Sequence, residues 1–143
     1  MDAPPGPLVT SLSLPAVELP FFSMCAVGEG RSVRVSLTGT ADLRCQPAFE
    51  AFLAALHREA RAVGADEVVL EMRALEFMTA ACFRVLLAWV TRVEDDARPY
   101  RIRVLADPQR QWQRRSMHAL TCFASEFVTV VLGPGGTTAP AAR

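Results

Sequence analysis

The sequence contains no lysine; all 15 of its basic residues are arginine. A Schiff-base mechanism and a P-loop both require a lysine amine, so neither is available to this chain. We attribute the bias to the coding background of the source rather than to recognition. Histidine is scarce, with only His57 and His118. Neither has a Ser, Cys or acidic neighbour at the spacing of a triad or ligand set, and the periodicity puts His57 on the polar side of its helix. No catalytic residue, metal ligand or cofactor is therefore assigned, and the chain is read as a non-enzyme. Its four cysteines, Cys25, Cys45, Cys82 and Cys122, are far apart and form no C-x-x-C pair, which indicates neither zinc nor a disulfide framework and suits a reducing cytoplasm. No segment approaches the roughly 20 apolar residues of a membrane span, and the N-terminus lacks the basic start of a signal peptide. The 15 acidic residues balance the arginines to a net charge of zero, so no overall field draws in nucleic acid or an anionic membrane. Gly133 to Gly136 precede no helix and form no phosphate loop. There is no internal repeat.

What is present is a globular composition, 51% hydrophobic and 21% charged over 143 residues, enough for one core without metals or disulfides. Residues 1–15, with Pro4, Pro5 and Pro7 close together, are expected to be a flexible leader. Residues 16–132 are expected to form a single domain and 133–143 a flexible tail. Leu19 to Val27 reads as a first strand. Arg31 to Gly39 alternates Val33, Val35 and Leu37 with Arg34, Ser36 and Thr38, which is a half-buried strand, and Gly28-Glu29-Gly30 between them suits a hairpin turn. Pro47 fits the opening of a helix that carries Phe49, Phe52, Leu53, Leu56, Ala60 and Val63 to Gly64. Val68 to Met72 is a short apolar strand, and Cys82 to Glu94 is a second helix. Tyr100 to Ala106 alternates as a strand, Gln111 to Phe123 is a third helix, and Phe127 to Leu132 a last strand. The order β-β-α-β-α-β-α-β predicts an α/β fold with a mixed sheet and helices packed chiefly on one face.

Between the central strand and the second helix lies Phe77-Met78-Thr79-Ala80-Ala81-Cys82. A helix start offers unpaired N–H groups and a partial positive charge, a setting for an anion or a phosphorylated side chain. Alanines at 80 and 81 can neither take a phosphate nor donate a side-chain hydrogen bond.

Three stretches resemble the STAS domain, the fold of bacterial anti-sigma-factor antagonists. Val35 to Asp42 is similar to that family's strand leading into G-x-x-D, Val68 to Met78 to its apolar strand and short loop, and Phe83-Arg84-Val85-Leu86-Leu87 to the helix after its D-S-S-G motif. In that motif a partner kinase phosphorylates a serine, and the added charge exchanges one complex for another. By position Thr79 stands for the aspartate, Ala80 for the phosphoserine, Ala81 for the second serine and Cys82 for the glycine, so the resemblance implies a docking surface without the usual phosphorylation. The expected partner-binding residues are Asp42, Met78, Thr79, Ala80, Ala81, Cys82 and Phe83. The implied partner is a protein, such as an anti-sigma factor or a histidine-kinase-type ATPase module, bound through residues 78–89 in a partner-switching signalling role.

Single residues keep two readings each. Thr79 is the loop's only hydroxyl and the one candidate phosphoacceptor, but also a preferred helix N-cap. Cys82 is either a redox-sensitive thiol or a small buried hydrophobe. Asp42 either shapes an acidic contact surface or closes a local turn. Arg110, Trp112, Arg114 and Arg115 form either a contact patch or a solvated helix face with one anchored Trp. A second function class is a small-molecule or lipid sensor with an apolar pocket lined by Phe77, Met78, Phe83 and Trp89. A third is a homo-oligomer paired through exposed Phe21 and Phe22.

Overall fold

The computed structural model of the chain describes residues 12, 14–124 and 126–133. The expected leader and tail fall almost wholly outside these residues. The described chain runs β1 (Val17–Leu19), β2 (Phe22–Glu29), β3 (Ser32–Ala41), α1 (Gln46–Ala62), β4 (Glu67–Glu71), β5 (Leu75–Met78), α2 (Ala80–Glu94), β6 (Arg101–Ala106), α3 (Gln111–Phe123) and β7 (Val128–Leu132). Its seven strands form one mixed sheet in the order β1-β2-β3-β4-β6-β7, with β5 beside β3. The first two pairings are antiparallel and the rest parallel.

Register explains why all three helices gather on one side. Val33, Val68, Ile102 and Val128 lie side by side across four strands, as do Val35, Leu70, Val104 and Val130. With Phe22, Met24 and Leu37 they form one apolar face. The alternate residues point the other way, and there Glu67 meets Arg103 and Glu71 meets Arg34, each at 3.1 Å. Strand alternation therefore writes a core face and an ion-paired face into the same sequence. Each helix answers the core face with one stripe. On α1 it is Phe49, Phe52, Leu53, Leu56 and Ala60; on α2, Cys82, Leu86, Trp89, Val90 and Val93; on α3, Gln113, Met117 and Leu120. Removing side chains such as Leu86 and Val90 from water is worth about 1.5–3 kcal/mol each. No helix among the described residues is long and apolar enough to cross a membrane.

The fold departs from the sequence expectation in three places. The first strand is two, because Pro20 cannot donate to a ladder and instead turns β1 back onto β2 with Phe21. The carbonyl of that turn, Phe21 O, accepts from Thr40 N at 2.8 Å, and a Cβ on Gly39 would sit 2.1 Å from it. Gly39 also has φ +89°, so the close approach needs glycine twice over. Secondly, Phe21 and Phe22 are not a free apolar patch. Phe22 is in the core against Phe49, and Phe21 is covered by the Arg44 guanidinium, 3.6 Å above its ring. Thirdly, part of the expected loop before α2 is strand β5.

His57 was expected on the polar side of α1 and is buried. Trp89 Nε1 donates to the Tyr100 hydroxyl at 3.2 Å, and that hydroxyl lies 2.8 Å from His57 Nδ1. His57 Nε2 is 3.2 Å from Asp96 Oδ2, which also accepts from Arg61 Nη1 at 2.8 Å. One assignment satisfies the whole chain: Tyr100 donates to a bare Nδ1, and Nε2–H donates to Asp96. A second proton on the ring would force the Tyr100 hydroxyl hydrogen to turn away. Burial holds the His57 pKa below its ordinary value of 6.5, helped by Arg92 and Arg61 and opposed by Asp96. Burial pushes the Tyr100 hydroxyl the other way, well above the usual phenol.

The sign of the pH dependence follows. In the unfolded chain His57 takes its proton near 6.5, and in the folded chain only at lower pH. Between those values the unfolded state holds more protons, so stability rises with pH up to about 6.5 and is then flat with respect to this group. Urea unfolding at several pH values should show stability falling from pH 7 to 5, with that slope reduced in His57→Phe. An unchanged slope in the variant would assign the effect elsewhere.

Candidate functional site

The site is built where β3 ends, β5 ends and α2 begins. β3 is longer than its parallel neighbour: Ser32 to Ser36 pair with β4, while Gly39 to Ala41 pair with β5, with a register shift between Gly39 and Thr40. β4 and β5 are thus one line of strand interrupted at 72–74. Thr79 N donates to Ala41 O at 2.9 Å, which carries the β3 pairing to the foot of α2. There the chain turns, with Thr79 in an extended conformation, and its Oγ1 accepts from Cys82 N at 3.3 Å. The N-cap reading of Thr79 is the one the geometry contains.

Asp42 lies across from this cap. Its Oδ1 accepts from Arg44 N at 3.0 Å, its carboxylate pairs with the Arg44 guanidinium at 2.8 Å, and its carbonyl accepts from Cys45 N at 3.0 Å. It therefore closes a local turn. The Arg44 side chain holds the Asp42 carboxyl below the usual carboxylate range. Cys82 Sγ donates to the Asp42 carbonyl at 3.5 Å, linking the loop to the first turn of α2. Cys82 and Cys45 are both buried, and burial pushes the Cys45 thiol up to about 11. Both behave as small core residues.

The seven expected partner-binding residues come together here, but they play different parts. Ala80 is exposed, Asp42, Thr79, Ala81 and Phe83 are half-buried, and Met78 and Cys82 lie beneath them in the core. Met78 and Cys82 shape the edge from below rather than lining it. Two apolar side chains flank the edge, Leu43 at 74% exposure and Phe77 at 47%. Leu43 was passed over in the sequence, although a leucine inside the polar run Asp42-Leu43-Arg44 is the available signal. The pocket expected from Phe77, Met78, Phe83 and Trp89 is not one lining. Phe77 lies outside against the Trp112 ring, with centroids 6.1 Å apart, and Trp89 is buried roughly three helical turns from the cap.

The interruption in the strand leaves backbone carbonyls without ladder partners, and α3 supplies the donors. Gln113, fully buried, gives its two amide hydrogens to Met72 O at 2.7 Å and Leu75 O at 2.9 Å, while its Oε1 accepts from Asp107 N at 2.8 Å. Trp112 Nε1 donates to Glu76 O at 2.7 Å and Arg110 Nε to Arg73 O at 3.1 Å. The Arg/Trp cluster is thus internal stitching at Arg110 and Trp112, with Arg114 and Arg115 exposed. Among the described residues no group of three or more His, Cys, Asp or Glu could hold a metal ion.

No protein-family model matches the sequence, and no curated protein matches it. Among solved structures, seven chains match. One is an anti-sigma factor antagonist from Mycobacterium paratuberculosis, with 22% sequence identity and a TM-score of 0.58 over 79% of this chain and 90% of that one. The chain has the STAS-like fold, an α/β mixed sheet with its helices on one face.

Replacing Gln113 with leucine keeps the bulk, strands the Leu75 carbonyl and the Asp107 N–H in the core, and leaves the Met72 carbonyl with only Leu75 N as donor. The expected cost is on the order of 3 kcal/mol by chemical denaturation, since each buried unsatisfied group costs about 1–3 kcal/mol. A loss below 1 kcal/mol would mean that the interruption is held by something other than the amide.

Proposed function

We propose that this chain is a non-enzymatic regulatory domain that docks a protein partner on the edge formed by Leu43, Phe77, Ala80, Ala81 and Phe83, in a manner that does not depend on phosphorylation. The observation that carries this reading is the pairing of an apolar rim with an inert helix start. Leu43 and Phe77 are large and exposed, Ala80 can accept no phosphate, and the hydroxyl of the loop itself, Thr79, is already engaged by Cys82 N. Exposed apolar side chains around a rigid, charge-compensated turn favour association with another surface over solvation. The partner class is that of an anti-sigma factor or a related histidine-kinase-type ATPase module. The name of the similar solved structure, an anti-sigma factor antagonist, supports this choice. The setting proposed is the cytoplasm of a bacterium, with the domain acting as a constitutive rather than a switched ligand.

The test is a binding titration against anti-sigma factors encoded beside this protein, with wild type, Leu43→Ala, Phe77→Ala and Ala80→Asp. Truncating either apolar rim residue should weaken binding by 1 kcal/mol or more, about fivefold at least. Ala80→Asp should weaken it further by placing a charge in the contact. Intact mass after incubation with the cognate kinase and ATP should show no added phosphate. Stoichiometric phosphate on Thr79, or an affinity indifferent to all three substitutions, would overturn the reading.

A further inference from the structure

β7 pairs with β6 on one side and, among the described strands, with nothing on the other. In that parallel ladder Ile102 N donates to Phe127 O at 2.8 Å and Gly133 N to Ala106 O at 3.0 Å. With Ile102 opposite Val128 and Ala106 opposite Leu132, the odd-numbered residues of β7, Thr129 and Val131, turn their peptide groups toward β6. Val128, Val130 and Leu132 turn theirs to the free edge. Val128 N is taken by Ala124 O at 3.1 Å, while the N–H groups of Val130 and Leu132 and the carbonyls of all three have no partner among the described residues. No charge, proline or bulge blunts this edge, and Val131 and Leu132 stand 42% and 51% exposed along it.

An unpaired edge of this kind is a template for another strand, and its open groups are complementary to themselves. A half-turn about an axis through Val130, perpendicular to the sheet, sets the β7 of a second copy antiparallel to the first. Val130 N–H then donates to the partner's Val130 C=O, and Leu132 N–H to the partner's Val128 C=O, each twice by symmetry. The side chains match as well. Leu132 comes to lie opposite the partner's Val128 on the helix-covered face, and Val131 opposite the partner's Thr129 on the other.

α3 favours that position of the axis. Gln113 meets Asp107 N, one residue past the Ala106–Leu132 pair, and Ala124 O accepts from Val128 N, so the middle of the helix lies level with Val130. The same half-turn therefore lays α3 along its copy over the full length. α3 rests on both β6 and β7. With strands about 4.8 Å apart, the two helices come to lie on the order of 10 Å from each other, within ordinary helix-packing distance. Trp112 points toward Phe77 and β5, so Arg114, about 200° further round the helix, points past β7. The half-turn carries Arg114 to the C-terminal end of the partner's α3, where the helix dipole is negative and Glu126 stands exposed. Arg114 bonds only to Pro108 O, at 2.9 Å, and Glu126 to nothing, among the described residues. An axis through Val131 would instead move Arg114 toward its own copy.

We propose that a second copy of this chain docks on β7 through this two-fold contact, joining two seven-stranded sheets into one. Each copy spends its free edge on the other, so the assembly closes as a dimer. The pairing that the sequence placed at Phe21 and Phe22 thus has a different surface, and it does not rest on the docking edge at α2. A five-residue ladder and one helix pair fall at the low end of interface sizes, below about 1,200 Å² in total. The expected dissociation constant is on the order of 10 µM.

Sedimentation of the full chain, at concentrations bracketing that constant, should show monomer and dimer and no larger species. Val130→Pro removes an N–H that the monomer does not use, and Val131→Lys puts charge on the edge. Each should weaken association at least about tenfold, while Val27→Lys, at an exposed valine of β2, leaves it unchanged. Unchanged thermal unfolding of the variants separates lost pairing from lost fold. Arg114→Glu should weaken the dimer and Arg114→Glu/Glu126→Arg restore it. In a Cys25→Ser/Cys122→Ser background, Thr129→Cys and Val131→Cys proteins mixed under mild oxidation should link to each other, because these positions face across the axis with Cα atoms about 4.5 Å apart. A monomer at every concentration, a dimer that Val130→Pro and Val131→Lys leave intact, no recovery in the charge-reversed pair, or Val131→Cys linking to itself would overturn the proposal.

Discussion

The start of α2 keeps its place because of one side-chain amide. At the break between β4 and β5 the carbonyls of Met72 and Leu75 face the buried amide of Gln113. Gln113 meets both and anchors itself through the Asp107 amide, with no polar atom to spare. Polar groups buried in this way are high-stakes, since a complete set fixes a unique geometry and an incomplete one destabilises it. The position of Met78, then of the Thr79 cap, then of the first turn of α2 follows from where that amide holds the chain. Rigidity at the candidate edge is thus inherited from the opposite side of the β4–β5 break, from the first turn of α3.

Much of the fold was legible because it rests on periodicity. Alternation in Arg31 to Gly39 and in Tyr100 to Ala106, and the helical stripes of Phe49 to Ala60 and Leu86 to Val93, are local signals that report burial directly. The split of the first strand was legible in principle, as Pro20 marks it. β5 was not, because Leu75 to Met78 is only four residues long and earns its strand state by pairing with the far half of β3. Gln113 and His57 were missed for a common reason. Each is a polar residue whose partners lie 35 or more positions away in sequence, or on another element, so no spacing rule can find them. The residues singled out by resemblance, Asp42 and 78–83, lie together at one end of the sheet, and their division into surface and core could come only from packing.

The molecule also carries a polar spine inside an apolar core. Trp89 on α2, Tyr100 before β6 and His57 on α1 form one directional chain of hydrogen bonds that ends at Asp96 after α2, where Arg61 donates from the surface side. It ties the helix that begins at the candidate edge to the last turn of α1. A core of the same shape made only of Leu and Phe would hold the helices together but would let them slide. Donors that must meet particular acceptors leave one registration of α1 against α2.

The two outer strands of the sheet are finished differently. β1 is three residues long and bounded by Pro15 and Pro20, so it offers a growing β-structure almost no run of donors. β7 has no such stop among the described residues, and Val131 and Leu132 stand exposed along it. Growth by strand addition is therefore polar: it is blunted on the β1 flank and open on the β7 flank. A purification tag or fused partner intended to shield the sheet belongs on the side of β7.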